Sequence, residues 1–156
     1  MQKPHSLMLT LGLLSSVVLF TSFQPSLIKE WLGIGQPTTL PTASCQLETA
    51  PCRYGLPGGG SVTLNLLPRP LQAVVPMSVD IQLEGVEGIS AGVDFAGVDM
   101  NMGFNLVPLG KHDSTHFAGQ ASLPICISGK MRWIATLQLE TNKQLWHIPF
   151  EFVVGE

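Results

Sequence analysis

The chain has 156 residues, a single-domain length that provides for one hydrophobic core but not for two sizeable ones. Hydrophobic residues make up 45% of the chain and charged residues 12%, which excludes a disordered protein. The formal net charge is -3 and the eight Lys and Arg residues are scattered along the chain, so we expect no nucleic-acid partner.

The N-terminus has the pattern of an export signal. Lys3 and His5 precede residues 7–23, which contain no charged side chain. This run is near the short limit of a membrane span, roughly 17 to 25 residues, and no small-residue cleavage site follows it cleanly. We predict a signal anchor over residues 1–25, a single transmembrane helix in the bacterial inner membrane that leaves the C-terminal domain in the periplasm. The alternative is a signal peptide that is cleaved to release the chain into the periplasm.

Residues 26–55 are predicted to be a linker, because the Pro- and Thr-rich stretch within them has too little apolar surface to fold by itself. Export places Cys45, Cys52 and Cys126 in an oxidising compartment, and an odd count leaves at least one cysteine over. The loop between Cys45 and Cys52 is short enough for a local disulfide. A link from Cys52 to Cys126, or redox cycling of Cys45 and Cys52, are the alternatives.

Residues 56–156 read as a domain of short strands divided by Pro, Gly and polar turns. The clearest alternation of apolar and polar residues is in 77–84. Seven strands and no long helical period predict an all-β fold, an immunoglobulin-like antiparallel β-sandwich preceded by one N-terminal hydrophobic helix. The predicted strands are 61–67, 77–84, 89–98, 103–107, 115–123, 131–140 and 145–154.

Sulfur-bearing side chains are concentrated in two connections of this predicted sandwich. Met100 and Met102 lie between the third and fourth strands, and Cys126 lies between the fifth and sixth. If the strands run in the ordinary order of a sandwich, all three come to the same end of the domain. Thioether and thiolate sulfur prefer Cu(I), and two methionines at positions i and i+2 of an extended segment point to the same side, so these residues are candidate copper ligands. Buried methionines and cysteines also serve simply as packing, which is the competing interpretation here. Asp99 and Asn101 are expected to face solvent on the other side of this segment.

Two histidines, His112 and His116, are a weaker alternative metal pair. Their spacing of four suits a metal only on a helix, whereas here they fall in a polar loop at the opposite end of the domain. Neighbouring Asp113 and Ser114 do not make a catalytic triad, because triad members converge from separate parts of a chain. No nucleophile elbow, phosphate loop or dinucleotide fingerprint is present, so we expect that the protein is not an enzyme.

Three short motifs in residues 97–103, 117–124 and 129–133 carry a family resemblance. A Met-Gly turn, a strand ending in Leu-Pro and a return strand with Gly-x-x-x-Trp resemble the YtkA-like and FixH-like domains. The similarity covers roughly residues 75–154 and implies a periplasmic domain that handles copper or assists assembly of haem-copper oxidases. The chain departs from the family pattern in having Cys126 directly after the Leu-Pro-Ile segment and the Cys45/Cys52 pair upstream.

These observations lead to one functional hypothesis and one alternative. The hypothesis is a membrane-anchored periplasmic domain that binds Cu(I) or assists assembly of a copper-containing respiratory complex, with the inner membrane and a copper-containing oxidase or another envelope protein as partners. The alternative is a non-catalytic structural or adaptor domain that binds another envelope protein without metal. Cu(I) affinity distinguishes the two.

Overall fold

The structure is a computed structural model that describes residues 36–103, 105–124 and 130–155. The described residues contain ten strands and no helix, which confirms the all-β prediction. None of them forms a helix that is long and apolar enough to cross a membrane, and the predicted N-terminal helix lies outside the described residues. The strands are β1 (Thr38–Thr39), β2 (Cys52–Gly55), β3 (Ser61–Leu67), β4 (Met77–Glu84), β5 (Gly88–Gly97), β6 (Leu106–Pro108), β7 (Gly110–Lys111), β8 (His116–Ala121), β9 (Met131–Thr141) and β10 (Leu145–Val154).

The strands form two sheets of five. One sheet has the order β1-β10-β9-β5-β6 and the other has the order β2-β3-β4-β8-β7. Every pairing is antiparallel except that of β1 with β10, which is parallel. The chain passes from the first sheet to the second between β6 and β7, where the backbone N–H of Leu109 donates to the carbonyl of Ala91.

Alternation of side chains explains why these segments form strands and which face they bury. In β4 every second side chain is buried and those between them are exposed or half-buried. The long strands β9 and β10 follow the same pattern. The buried side chains of both sheets belong to one hydrophobic cluster, in which Tyr54 of β2 meets Phe150 of β10 edge to face with ring centroids 6.3 Å apart.

The predicted strands agree closely with the observed ones wherever the alternation is strong, as in β3, β4 and β10. The predicted strand 103–107 is instead Leu106–Pro108. Gly103 has φ 78° and its N–H donates to Asn101 Oδ1 at 2.9 Å, so this turn delays the start of β6. The two-residue strand β7 was not predicted, because a pair of residues is too short to show a period.

Residues 37–55 differ from the expectation of a linker, because they contain β1 and β2. Leu40 and Ala43 are 8% exposed and Leu47 is fully buried. The N–H groups of Leu40 and Ala43 donate to backbone carbonyls of His147 and Pro149, both at 2.8 Å. These three apolar residues were missed in the sequence analysis because the composition around them is rich in Pro and Thr. This segment therefore belongs to the folded unit, Pro37–Glu156.

A cysteine pair lies where the chain passes from β1 in the first sheet to β2 in the second. Ala43 bridges to Phe150 in the first sheet, and Cys52 begins β2 in the second. Between them, the sulfur atoms of Cys45 and Cys52 lie at bonding distance, and their Cα atoms are 5.9 Å apart. The structure thus contains the local pairing rather than a link from Cys52 to Cys126. A disulfide here also closes this loop in the unfolded chain, which lowers the conformational entropy of the unfolded state.

Candidate functional site

Four of the six methionines lie in the described residues, and all four lie at one end of the domain. Met77 begins β4 and Met131 begins β9, whereas Met100 and Met102 lie in the connection between β5 and β6. Because β4 and β9 run antiparallel to β8 and β5, their first residues lie beside the last residues of those strands. We call the end formed by Leu67, Met77, Gly97 and Met131 the methionine end.

The four methionines differ in exposure. Met77 and Met131 are each 4% exposed and belong to the hydrophobic core. Met102 is half-buried and packs against the core, and Met100 is 45% exposed. The two candidate ligands are therefore the accessible members of the group.

Three of these methionines meet at Gly97. A Cβ atom at Gly97 would collide with the terminal methyl of Met131 and the backbone carbonyl oxygen of Met100, and would lie 3.0 Å from Met102 Cγ. Only glycine leaves space for so close an approach of backbone and side chains. The end of β5 thus brings Met100, Met102 and Met131 around one residue.

The connection that carries Met100 and Met102 is held by polar contacts on either side of Met100. Arg132 donates to Asp99 from Nη2 at 2.7 Å and from Nε at 3.3 Å, a two-point contact that fixes the carboxylate. The Val98 N–H donates to the Arg132 carbonyl at 3.0 Å. Residues 98–100 form a bend rather than the extended segment assumed from the sequence. Asp99 and Asn101 are exposed, as expected, but each also orders this connection.

The same contact sets the protonation of Asp99. The hydrogen bond from the Arg132 side chain, assisted by its positive charge, holds the pKa of Asp99 below the ordinary value of 3.8. Reciprocally, Asp99 raises the pKa of Arg132, with a smaller contribution from Glu151. The carboxylate is therefore charged at neutral pH and remains paired with Arg132.

The third candidate ligand, Cys126, lies outside the described residues. The chain that leads to it ends, in the described part, at Pro124, which lines a cleft of about 350 Å³ together with Met102 and Val74. The Val74 N–H donates to the Leu123 carbonyl at 2.8 Å. The segment preceding Cys126 thus contacts the cleft beside Met102, at the methionine end.

The weaker candidates, His112 and His116, lie at the opposite end, where β7 connects to β8. Their rings are stacked with centroids 4.8 Å apart and planes 20° from parallel. Imidazole lone pairs lie in the ring plane, so two rings stacked in this way do not direct nitrogen atoms at one ion. His116 Nε2 instead lies 2.6 Å from Asp80 Oδ2.

Sequence reasoning assigned no role in the site to Gly97 or Arg132, although both lie within the motifs at 97–103 and 129–133. Both depend on the pairing of β5 with β9, in which Gly97 lies opposite Trp133. Within the described residues, no group of three His, Cys, Asp or Glu side chains is placed to hold a metal ion, and thioether sulfur is not among those side chains. Comparison of the chain with protein-family models, curated proteins and solved structures gives no match.

Proposed function

We propose that this protein binds Cu(I) at the methionine end through Met100, Met102 and Cys126. The observation that carries the proposal is that the backbone of Met100 and the side chains of Met102 and Met131 meet at Gly97, with Met100 exposed to solvent. Thioether and thiolate ligands select Cu(I) over harder cations, since soft sulfur donors match a soft ion.

Order in the connection supports a binding role over simple packing. Arg132 donates to the Asp99 carboxylate, and the Gly103 N–H donates to Asn101 Oδ1. The backbone on both sides of Met100 is therefore restrained before any ion binds. A site that is ordered in advance loses less conformational entropy on binding. A purely structural methionine has no need of solvent exposure, whereas Met100 is 45% exposed.

The cellular setting is part of the same proposal. The domain is an immunoglobulin-like β-sandwich, a fold favoured by two sheets whose buried faces share one hydrophobic cluster. The apolar N-terminal run anchors the chain in the bacterial inner membrane, and the domain acts in the periplasm. There it delivers copper to, or assists assembly of, a copper-containing respiratory complex, as the YtkA-like and FixH-like resemblance implies.

The alternative of a metal-free adaptor domain has an observation of its own. Of the six exposed large hydrophobic residues in the described part of the chain, five lie at or near the methionine end, and Val74 is 60% exposed. Grouped exposed apolar residues often mark a protein contact. These five are Leu67, Val74, Val98, Met100 and Leu106.

Anaerobic titration of the purified full chain with Cu(I), against a competing chelator such as bicinchoninic acid, tests the proposal. Leucine keeps the apolar volume of methionine and removes its sulfur. We expect Met100→Leu and Met102→Leu each to weaken Cu(I) binding about tenfold or more, equivalent to about 1.4 kcal/mol, and Cys126→Ser to do the same. Met77→Leu, a buried methionine at the same end, is the matched control and should leave the affinity unchanged. A folded wild-type chain that does not compete for Cu(I) would instead support the adaptor.

A further inference from the structure

A second cleft lies at the end of the domain opposite the methionine end. Four connections surround it: the turn at 56–60, the turn at 85–87, the loop before β8 and the hairpin between β9 and β10. Its volume is about 570 Å³, within the range of roughly 300–1,000 Å³ typical of small-molecule sites. Connections held by a rigid scaffold are common places for binding residues.

One wall of the cleft is a well-ordered hairpin. The Thr141 N–H and its hydroxyl both donate to the Gln144 carbonyl at 2.9 Å, and the Gln144 N–H donates to Thr141 Oγ1 at 3.0 Å. The Gln144 side-chain amide also contacts the Thr38 hydroxyl. Trp146, the next lining residue, is half-buried and packs against the core. This wall thus contributes an aromatic side chain to the lining of the cleft.

The other side of the cleft contains a glycine turn. Gly58, Gly59 and Gly60 all have positive φ, between 85° and 104°. A Cβ at Gly60 would lie 2.8 Å from the Glu84 carbonyl oxygen, so the turn requires glycine there. A Cβ at Gly58 or Gly59 would meet no atom within 4 Å. Gly58 and Gly59 therefore add no side chain to this wall, and Leu56 and Pro57 are the side chains of this turn that line the cleft.

The lining combines an apolar surface with several hydrogen-bonding groups. Leu56 is buried at 7% exposure and lies with Trp146 in the lining, whereas Asn142, Lys143 and Glu87 are exposed around it. Lys143 and Glu87 contribute one charge of each sign, which does not favour an anion such as a nucleotide. The same polar groups can donate to and accept from hydroxyl groups, which an aliphatic chain does not offer.

We propose that this cleft binds a neutral oligosaccharide. A hexose ring has an apolar face of C–H bonds and a rim of hydroxyl groups. The C–H face matches the electron-rich face of the Trp146 indole, and the hydroxyl groups match the amide, ammonium and carboxylate groups of Asn142, Lys143 and Glu87. The cleft acts independently of the methionine end, because the two sites lie at opposite ends of the strands.

The test is a backbone-amide NMR titration of the ¹⁵N-labelled full chain with cellotetraose, maltotetraose and chitotetraose, each to millimolar concentration. Because the full chain includes the apolar run at residues 7–23, it is kept in detergent, and this detergent must lack a sugar headgroup. We expect at least one tetrasaccharide to shift resonances of the turns at 56–60, 85–87 and 142–144, with saturation. Asn142→Ala, an exposed substitution, should weaken that binding about fivefold, and Trp146→Leu should abolish it while the spectrum remains that of a folded domain. Met100→Leu is the control and should bind as the wild type does.

The absence of saturable shifts in these three turns with all three sugars would overturn the proposal. In that case, a shift of the same resonances by adenosine monophosphate would assign the cleft to an anion, and a shift by octanoate alone would assign it to an aliphatic ligand. Because Asn142 is exposed in a turn, its variant distinguishes loss of binding from loss of fold.

Discussion

Replacement of Gly97 by alanine connects the fold of this domain to its proposed function. The added methyl group would collide with the Met100 carbonyl oxygen, a backbone atom, and with the flexible end of Met131. Overpacking of this kind costs about 1–3 kcal/mol, and removing a glycine from a strand offsets about 0.5–1 kcal/mol of it. We expect a net loss of about 0.5–2 kcal/mol, and the connection carrying Met100 must shift to accommodate the methyl group.

A second glycine on the same strand provides the control. A Cβ at Gly92 would lie 3.4 Å from the Val107 carbonyl oxygen and 3.5 Å from the nearest atom of Leu106, which is ordinary contact. Gly92→Ala should therefore stabilise the domain slightly, by up to about 1 kcal/mol. For a folded unit of roughly 120 residues, 1 kcal/mol moves Tm by about 3–5 °C, so thermal unfolding should shift in opposite directions for the two variants.

The Cu(I) competition assay separates the functional consequence from the structural one. Gly97→Ala should weaken Cu(I) binding about tenfold, because Met100 is displaced, whereas Gly92→Ala should leave it unchanged. Equal thermal stability of the two variants would refute the close packing at Gly97. A destabilised Gly97→Ala variant with wild-type Cu(I) affinity would refute the link between this packing and metal binding.

Three further predictions concern the edges of the domain and its ion pair. Leu40→Ala should lower the free energy of unfolding by about 2–4 kcal/mol in urea denaturation, whereas its exposed neighbour Thr39→Ala should change it by less than about 0.5 kcal/mol. Asp99→Asn removes the negative charge that is paired with Arg132. Because the folded pKa of Asp99 is depressed, the stability it contributes is present at neutral pH and is lost as the pH falls below 3.8 through the folded pKa, so wild type and Asp99→Asn should converge in acid. Cys45→Ser should lower the free energy of unfolding by about 2–3 kcal/mol, because it reopens the loop between two cysteines with a sequence separation of 7.

Each of these has an outcome that contradicts it. Equal unfolding energies for Leu40→Ala and Thr39→Ala would mean that the segment before β2 is not part of the core. A stability difference between wild type and Asp99→Asn that persists unchanged in acid would mean that the carboxylate contributes nothing as an anion. Wild-type stability in Cys45→Ser, measured without reductant, would mean that the crossing between the sheets is held by packing alone.

The strands with strong alternation were predictable because burial of one face imposes a two-residue period. This is why β3, β4 and β10 agree with the sequence analysis residue for residue. The strand β1 and the buried Leu40 were not predictable, since two threonines and one leucine in a Pro-rich stretch show no period. What places them is a parallel pairing with β10, more than 100 residues later in the chain.

The candidate site, like the fold, was predictable from the sequence only in part. The common end of Met100, Met102 and the segment before Cys126 was expected from strand order, and in the described residues Met102 lines a cleft with Pro124. The role of Gly97 depends on atomic distances to Met131, and the role of Arg132 depends on its register beside Asp99. Neither has a sequence signal, because both rest on long-range pairing of β5 with β9 rather than on neighbouring residues.

The most direct test of the proposed copper site is NMR of the full chain labelled with ¹³C at the methionine methyl groups, recorded as Cu(I) is added anaerobically. Each methionine reports separately, and substitution by leucine assigns its signal. We predict that the methyl signals of Met100 and Met102 shift to saturation at one equivalent, while that of the buried Met77 does not. Unchanged Met100 and Met102 signals in a folded chain, at Cu(I) concentrations that saturate the competing chelator, would contradict the copper site.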